Sequence, residues 1–424
     1  MDREDRWLVA WGVGYAAVGG ASVLVPLYAI ALGATPAFVG LVAATAALVG
    51  VPGALLWGRL AARTKRRRPF VLVALAATAG TLALVPLTAS PAVVLLLNAL
   101  LWFAISAASP VLNLIVVEGA PVAEWDDRIA RLNAWQGYGW LGGLVLGTVW
   151  TALAPRAGFG PLAGQRLLFG LLAVTAGAGL ALARLWYPER PHTDPERFRR
   201  VFRRLEPRGW GAGRVLRASV YGPTRTYWSL VSLRAGNPFA RLPSGLRRYL
   251  LAVGAFSVGF AVFWGPVPSL LRADLTEEAV FGVYVAGNLV SAVCYAPAGR
   301  LVRRVTPRRL QGVALAARGL LLPLVALAGS LAAAALLPAY AVAFGLIGAT
   351  WAVIAVTTTG LVTRLADDAT RGEAFGLQAA IGGLAGGVGN ALGGAVADAA
   401  GYLAAFSLAA AFVFLGVGLV AASR

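Results

Sequence analysis

The side chains that could do acid–base, redox or metal chemistry are few in this 424-residue chain and lie at the edges of its apolar segments. One cysteine, Cys294, and one histidine, His192, exclude an internal disulfide and a cluster of His and Cys zinc ligands. The carboxylates nearest to an apolar segment, Glu118, Glu373 and Asp398, each fall at a segment end. The sequence also lacks a Ser–His–Asp set, a phosphate-binding loop and an HExxH motif. It therefore predicts no enzyme, no metal site and no cofactor.

Aromatic and small polar side chains recur at helical spacing in four of the apolar segments and could form the wall of a substrate cavity. Spacings of three and four residues place each set on one helix face. The sets are Trp11, Tyr15 and Ser22 in the first segment, Trp102, Ser106, Ser109 and Asn113 in the fourth, Phe256, Phe260 and Trp264 in the seventh, and Tyr340, Phe344, Trp351, Ala355 and Thr358 in the tenth. Ordinary helix packing produces the same pattern, and this alternative stays open.

Arg318 is the charged residue that lies deepest within an apolar segment, near the middle of the ninth. An arginine at the bilayer centre costs at least about 2.5 kcal/mol, so its position predicts a functional role. If the side chain reaches the cavity, an anionic group on the substrate becomes its expected partner. The alternative is that the long side chain extends to the membrane surface.

The composition places the chain among integral membrane proteins. Hydrophobic residues make up 59% and charged residues only 13% of the sequence, whereas a soluble domain carries about 25% charged residues. A spanning helix needs about 20 apolar residues. We therefore predict an all-α integral membrane protein of twelve transmembrane helices without a signal peptide. Apolar segments of spanning length fall near 8–32, 36–58, 69–89, 91–117, 131–153, 166–187, 249–271, 278–299, 310–329, 338–362, 374–397 and 402–422.

The net charge of +19 is distributed as a membrane topology requires, with basic residues concentrated in alternate loops. The loops at Arg59–Arg68 and Arg300–Arg309 are strongly basic, while the alternate loops hold only Arg156, Arg166 and Arg272. This asymmetry predicts that both termini lie in the cytoplasm, and we expect a multi-pass protein of the plasma membrane. It explains the charge without nucleic acid as a partner.

The segment 188–248 contains 14 arginines and four acidic residues and divides the chain. Within it, Asp194-Pro195-Glu196 is typical of a helix start, and the apolar residues that follow share one face. Such an amphipathic helix would bind anionic lipids of the cytoplasmic leaflet, although a solvated linker helix is an equal alternative. The predicted domains are a six-helix bundle at 1–187, this basic cytoplasmic linker at 188–248, and a second six-helix bundle at 249–424.

The two halves repeat each other. Gly58-Arg59-Leu60 after the second segment recurs as Gly299-Arg300-Leu301 after the eighth, and further basic residues follow in both loops. Because each copy of the repeat takes up about half of the chain, the sequence predicts two pseudo-symmetric bundles.

On these motifs the chain resembles the major facilitator superfamily over nearly its whole length. That family's loop usually reads Gly-x-Leu-(Ala/Ser)-Asp-Arg-x-Gly-(Arg/Lys)-(Arg/Lys), but its acidic position is Ala62 here and Arg303 in the second half. The resemblance implies a monomeric transporter that works by alternating access, with helices one, four, seven and ten around the cavity. It assigns a conformational role to Gly58, Arg59, Arg63, Arg66, Arg67, Gly299, Arg300 and Arg304.

Glycines recur at four-residue spacing in the fifth segment, where Gly139, Gly143 and Gly147 share a face, and in the eleventh, where Gly382 and Gly386 do. Small residues let membrane helices approach closely. The glycines also resemble part of the family's antiporter signature, but Thr148 stands where its proline would be.

Three functions are compatible with the sequence. Efflux of a small amphiphilic molecule is the first hypothesis, and uptake of a neutral or singly anionic metabolite is the second. The third is a membrane scaffold or lipid-binding protein that does not transport and uses 188–248 as its functional part.

Overall fold

The computed structural model describes residues 6–63, 68–117, 124–187, 242–367 and 371–423, and over these ranges it contains helices and no strand. The predicted amphipathic helix after Asp194 lies outside the described residues. The long helices within these ranges are α1 (Arg6–Ala31), α2 (Pro36–Arg63), α3 (Arg68–Leu84), α4 (Pro91–Val117), α5 (Trp125–Leu153), α6 (Pro161–Trp186), α7 (Ser244–Trp264), α8 (Glu277–Leu301), α9 (Pro307–Leu327), α10 (Ala333–Leu365), α11 (Arg371–Ala400) and α12 (Tyr402–Ala422).

The all-α membrane fold predicted from composition is confirmed. Nine helices of the described chain are long and apolar enough to cross a membrane, and α2 and α4 contribute shorter apolar stretches at Pro36–Gly50 and Pro91–Ser106. Large apolar side chains such as Leu185 and Val174, at 76% and 70% exposure, lie on the protein surface. Such side chains suit a surface that faces lipid, because lipid tails are as apolar as leucine. The number of spans, twelve, stays a prediction.

The seventh predicted segment, 249–271, is not one continuous helix. Helix α7 ends at Trp264. After Gly265 and Pro266, a short helix, Val267–Asp274, covers the rest of the segment. Proline has no backbone N–H to donate and its ring obstructs the preceding turn, so the helix breaks there. Other prolines, including Pro26 and Pro297, lie inside continuous helices.

The described residues form two compact units: those within 6–28 and 49–187 belong to one, and those within 29–48 and 242–423 belong to the other. In the first unit, α3 packs against α4 and α6. Glycines let α1 and α5 touch along their backbones. A methyl group added at Gly139 would meet the carbonyl oxygen of Gly12, and one added at Gly143 would meet that of Ala16, both well inside 3.0 Å.

In the second unit, α7 packs against α11 and α12, α8 against α10, and α9 against α10 and α12. Here too the closest contacts involve glycine. Gly393 of α11 lies against the carbonyl oxygen of Val262 in α7, and Gly348 of α10 lies against that of Gly287 in α8. Close packing accounts for these positions, whereas Gly382 faces open space.

Candidate substrate site

The side chain of Arg318 points into the second unit and packs between aromatic rings of α7 and α10. It is 2% exposed. Its guanidinium carbon lies 4.3 Å from the ring centroid of Phe260 and 5.7 Å from that of Trp351. Those two rings meet edge to face at 6.2 Å, and Phe256 continues the aromatic surface 5.5 Å from Phe260. The arginine therefore lies against residues of two of the predicted cavity stripes, and we call Phe256, Phe260, Arg318 and Trp351 the arginine cage.

The arginine cage compensates the buried guanidinium only in part. A cation over an aromatic face gains about 0.5–2 kcal/mol. Among the described residues, however, the buried Nε and Nη1 of Arg318 have no hydrogen-bond acceptor, and each unsatisfied buried donor costs about 1–3 kcal/mol. A complementary acceptor with a negative charge would supply what these groups lack.

A buried polar cluster lies one layer nearer the cytoplasmic loops predicted from the charge pattern. The amide nitrogen of Gln311 in α9 donates to the Tyr249 hydroxyl of α7 at 2.9 Å and to the Thr358 hydroxyl of α10 at 2.8 Å. Each member precedes or follows a cage residue of its own helix by seven positions, or about 10.5 Å along the axis. The hydroxyl of Thr358, predicted to face substrate, is therefore engaged with Gln311.

The upper part of the α7 and α10 stripes is an aromatic core. Phe344 lies 6.3 Å from Phe263, 5.7 Å from Trp264 and 5.8 Å from Tyr284, measured between ring centroids. Phe344 is buried, whereas Trp264 and Tyr284 are half-buried. Nearer the start of α10, the Tyr340 hydroxyl donates to the carboxylate of Asp274. The α10 residues that the sequence pattern assigned to one cavity wall therefore lie in two environments. Phe344 is part of the aromatic core, and Trp351 is part of the arginine cage.

In the first unit the predicted cavity residues of α1 are buried among aromatic rings. Trp11 and Tyr15 have ring centroids 5.8 Å apart, and Tyr15 lies 6.1 Å from Trp140 of α5. The indole nitrogen of Trp11 is buried without a hydrogen-bond partner among the described residues.

On α4, Trp102 is half-buried and Ser106 is buried. The hydroxyl of Ser106 donates to the carbonyl oxygen of Phe103 at 2.6 Å and lies against Gly53 of α2. This contact explains why α2 has a glycine there. The side chains of Ser109 and Asn113 lie outside what the structure describes, so their predicted role is untested.

The conformational loop residues are described only in the second half. Gly299 is buried near the end of α8, while Arg300 and Arg304 are exposed. The structure does not describe the surroundings of the corresponding residues of the first half, Gly58, Arg59, Arg63, Arg66 and Arg67. Sequence reasoning missed Gln311 and Tyr249, although Gln311, a polar residue seven positions before Arg318 in an apolar helix, was an available signal.

Comparison with known proteins places this geometry in context. The sequence profile of the Major Facilitator Superfamily matches residues 8–331. No curated protein sequence gives a significant match.

Solved structures with the same fold include three transporters. A variant of the nucleoside transporter NupG has a TM-score of 0.72 at 11% identity and covers 100% of both chains. A bacterial homolog of the human lysosomal transporter Spinster, in an inward-facing and unoccupied conformation, has a TM-score of 0.67 at 15% identity, over 100% of this chain and 98% of that one. The human organic anion transporter MFSD10 has a TM-score of 0.59 at 17% identity, over 99% of this chain and 100% of that one. At these identities the likeness establishes the fold.

Proposed function

The chain belongs to the major facilitator superfamily, and from this premise we propose that it exports a small amphiphilic molecule by alternating access of two helix bundles. Family and fold together make it a secondary transporter and not an enzyme. We infer the kind of substrate from the chemistry of the arginine cage.

The observation that carries the proposal is the arginine cage. Phe260 and Trp351 offer an apolar surface beside one buried cation, within helices that meet the criteria for crossing a membrane. An amphiphile has both parts that this surface would recognise, an apolar body and a polar head. A strongly hydrated sugar phosphate or dicarboxylate would need several charged partners, which the α7 and α10 stripes do not provide.

Efflux is the proposed direction because a compound suited to an aromatic wall also partitions into the membrane and enters cells unaided. Uptake of a singly anionic metabolite is the second candidate. The fold is shared by a nucleoside transporter and by an organic anion transporter, so the likeness favours neither a substrate class nor a direction. In both cases the proposed location is the plasma membrane.

Flux through the purified full-length protein in liposomes tests this function. Small amphiphiles that raise the melting temperature of the protein are selected first, because a ligand that binds only the folded state stabilises it. We expect at least one to move across the liposome membrane with saturable kinetics. Deleting residues 195–206 should leave this flux unchanged. The scaffold hypothesis would be supported instead if the full-length protein showed no saturable flux of any amphiphile and the deletion abolished its activity.

The proposed orientation has its own test. In a protein with Cys294 replaced by alanine, single cysteines are placed at Ser90, between α3 and α4, and at Ser219 in the basic linker. An impermeant thiol reagent added outside intact cells should label the cysteine at 90 and spare the one at 219, because the basic loops are retained in the cytoplasm. Labelling of both positions from outside would contradict the orientation.

A further inference from the structure

We propose that Arg318 is the binding site for the single negative charge of the substrate, so that the protein carries amphiphilic organic monoanions such as aromatic carboxylates. This inference deepens the proposed function and rests on it. The substrate's oxyanion would accept hydrogen bonds from Arg318, while its apolar body would lie against Phe260 and Trp351.

The unpartnered N–H groups are the first support. Arg318 is buried, and neither its Nε nor its Nη1 finds an acceptor among the described residues. The described chain also supplies no carboxylate within ion-pair distance of this guanidinium. A structural arginine at such depth normally pairs with an acid or with backbone carbonyl groups. Here the rings of Phe260 and Trp351 hold the cation without satisfying its donors.

The contrast with the neighbouring layer is the second support. Seven residues away on the same helix, Gln311 is also buried, yet its amide nitrogen donates to both Tyr249 and Thr358. The same three helices therefore provide polar partners in one layer and only aromatic ones at Arg318. Structural need alone does not explain this difference, since Gln311 shows that the helices can satisfy a buried polar side chain.

The isolation of Arg318 sets the charge of the ligand. All other charged residues in the described helices α7 to α12 lie within five residues of a helix end. A single guanidinium compensates a single negative charge, and a second buried charge would remain unpaired. Monoanions are therefore favoured over dianions and over neutral molecules of the same shape.

Binding by the full-length protein in detergent tests the inference with three probes built on the same naphthalene ring. These are naphthalene-2-carboxylate, its neutral amide, and naphthalene-2,6-dicarboxylate. We expect the carboxylate to raise the melting temperature of the wild type, and the amide and the dianion to require at least tenfold higher concentrations for the same shift. Absence of any shift with the carboxylate, or equal shifts with the amide, would overturn the inference.

Substitutions separate ligand binding from a structural role. Arg318→Met keeps an apolar chain of similar length and removes the buried charge, so the ligand-free protein should melt no lower than wild type while carboxylate binding weakens at least tenfold. Arg318→Lys should retain part of the binding, because it keeps the charge. Arg309→Met removes a charge from the exposed start of the same helix and should change nothing. A Met variant that melts far lower or does not fold would show that Arg318 is structural and would defeat the proposal.

Counterflow in liposomes distinguishes this inference from the function beneath it. If naphthalene-2-carboxylate moves equally well through the wild type and Arg318→Met, the protein is a transporter but the anion assignment is wrong. If wild-type protein moves neither these probes nor any other amphiphile, the proposed function itself fails.

Discussion

Replacing Gly143 by alanine is expected to destabilise the first unit, whereas the same change at the neighbouring Gly142 is expected to be neutral or stabilising. A methyl group at 143 would collide with the backbone carbonyl of Ala16, which cannot move aside as a flexible side chain could. Forcing additional volume into a packed contact costs about 1–3 kcal/mol. At Gly142 an added methyl group meets nothing within 4 Å, and alanine is favoured over glycine within a helix by about 0.5–1 kcal/mol.

The measurement is the melting temperature of each purified variant, with the yield of monodisperse protein as a second readout. The second unit offers the same comparison on α11, where Gly393 lies against the Val262 backbone and Gly382 meets nothing within 4 Å. Gly393→Ala should therefore lower the melting temperature and Gly382→Ala should not. Equal effects at 142 and 143 would mean that α1 and α5 do not make this backbone contact.

Trp351→Ala is expected to reduce transport at least tenfold while leaving the protein folded. Phe344→Ala is expected to lower the stability of the protein in the first place. The two residues lie seven positions apart on α10, and sequence reasoning gave them the same role. Phe344 is buried among Phe263, Trp264 and Tyr284. Truncating a buried phenylalanine costs about 3–5 kcal/mol.

Trp351 differs because it is half-buried, packs edge to face on Phe260 and flanks Arg318. Its removal takes away one wall of the arginine cage and little of the aromatic core. Saturable liposome flux and melting temperature are measured on both variants at matched protein levels. A loss of melting temperature at Trp351→Ala as large as that at Phe344→Ala would assign both residues to packing and remove Trp351 from the proposed site.

The buried polar residues of α9 could have been identified from the sequence, but their partners could not. Gln311 and Arg318 are the fully buried polar residues of α9, and their seven-residue spacing places them on one face. Their partners Tyr249, Phe260 and Thr358 come from two other helices. No spacing rule within one helix identifies a partner on another, so the hydrogen-bonded layer and the cage could only be found together in three dimensions.

The amino-acid sequence by itself determined the class of this protein and the approximate course of its helices, and it predicted a duplicated plan. Continuous apolar runs of about 20 residues predict helices, because a helix satisfies its backbone hydrogen bonds within one segment where the bilayer supplies no water. The Gly-Arg-Leu repeat at Gly58 and Gly299 indicated the two halves. The sequence also identified Arg318 as exceptional, from the cost of a charge at that depth.

Only the tertiary structure decided which face of each helix meets another helix. It placed Gly143 against the backbone of Ala16 while Gly142 meets nothing, and it gave Thr358 to Gln311 and Arg318 to Phe260. In water, hydrophobic periodicity separates a buried face from a solvated one. In a membrane both faces of a helix are apolar, because lipid tails are as apolar as leucine, so periodicity does not mark the packed side and the contacts between helices must be seen.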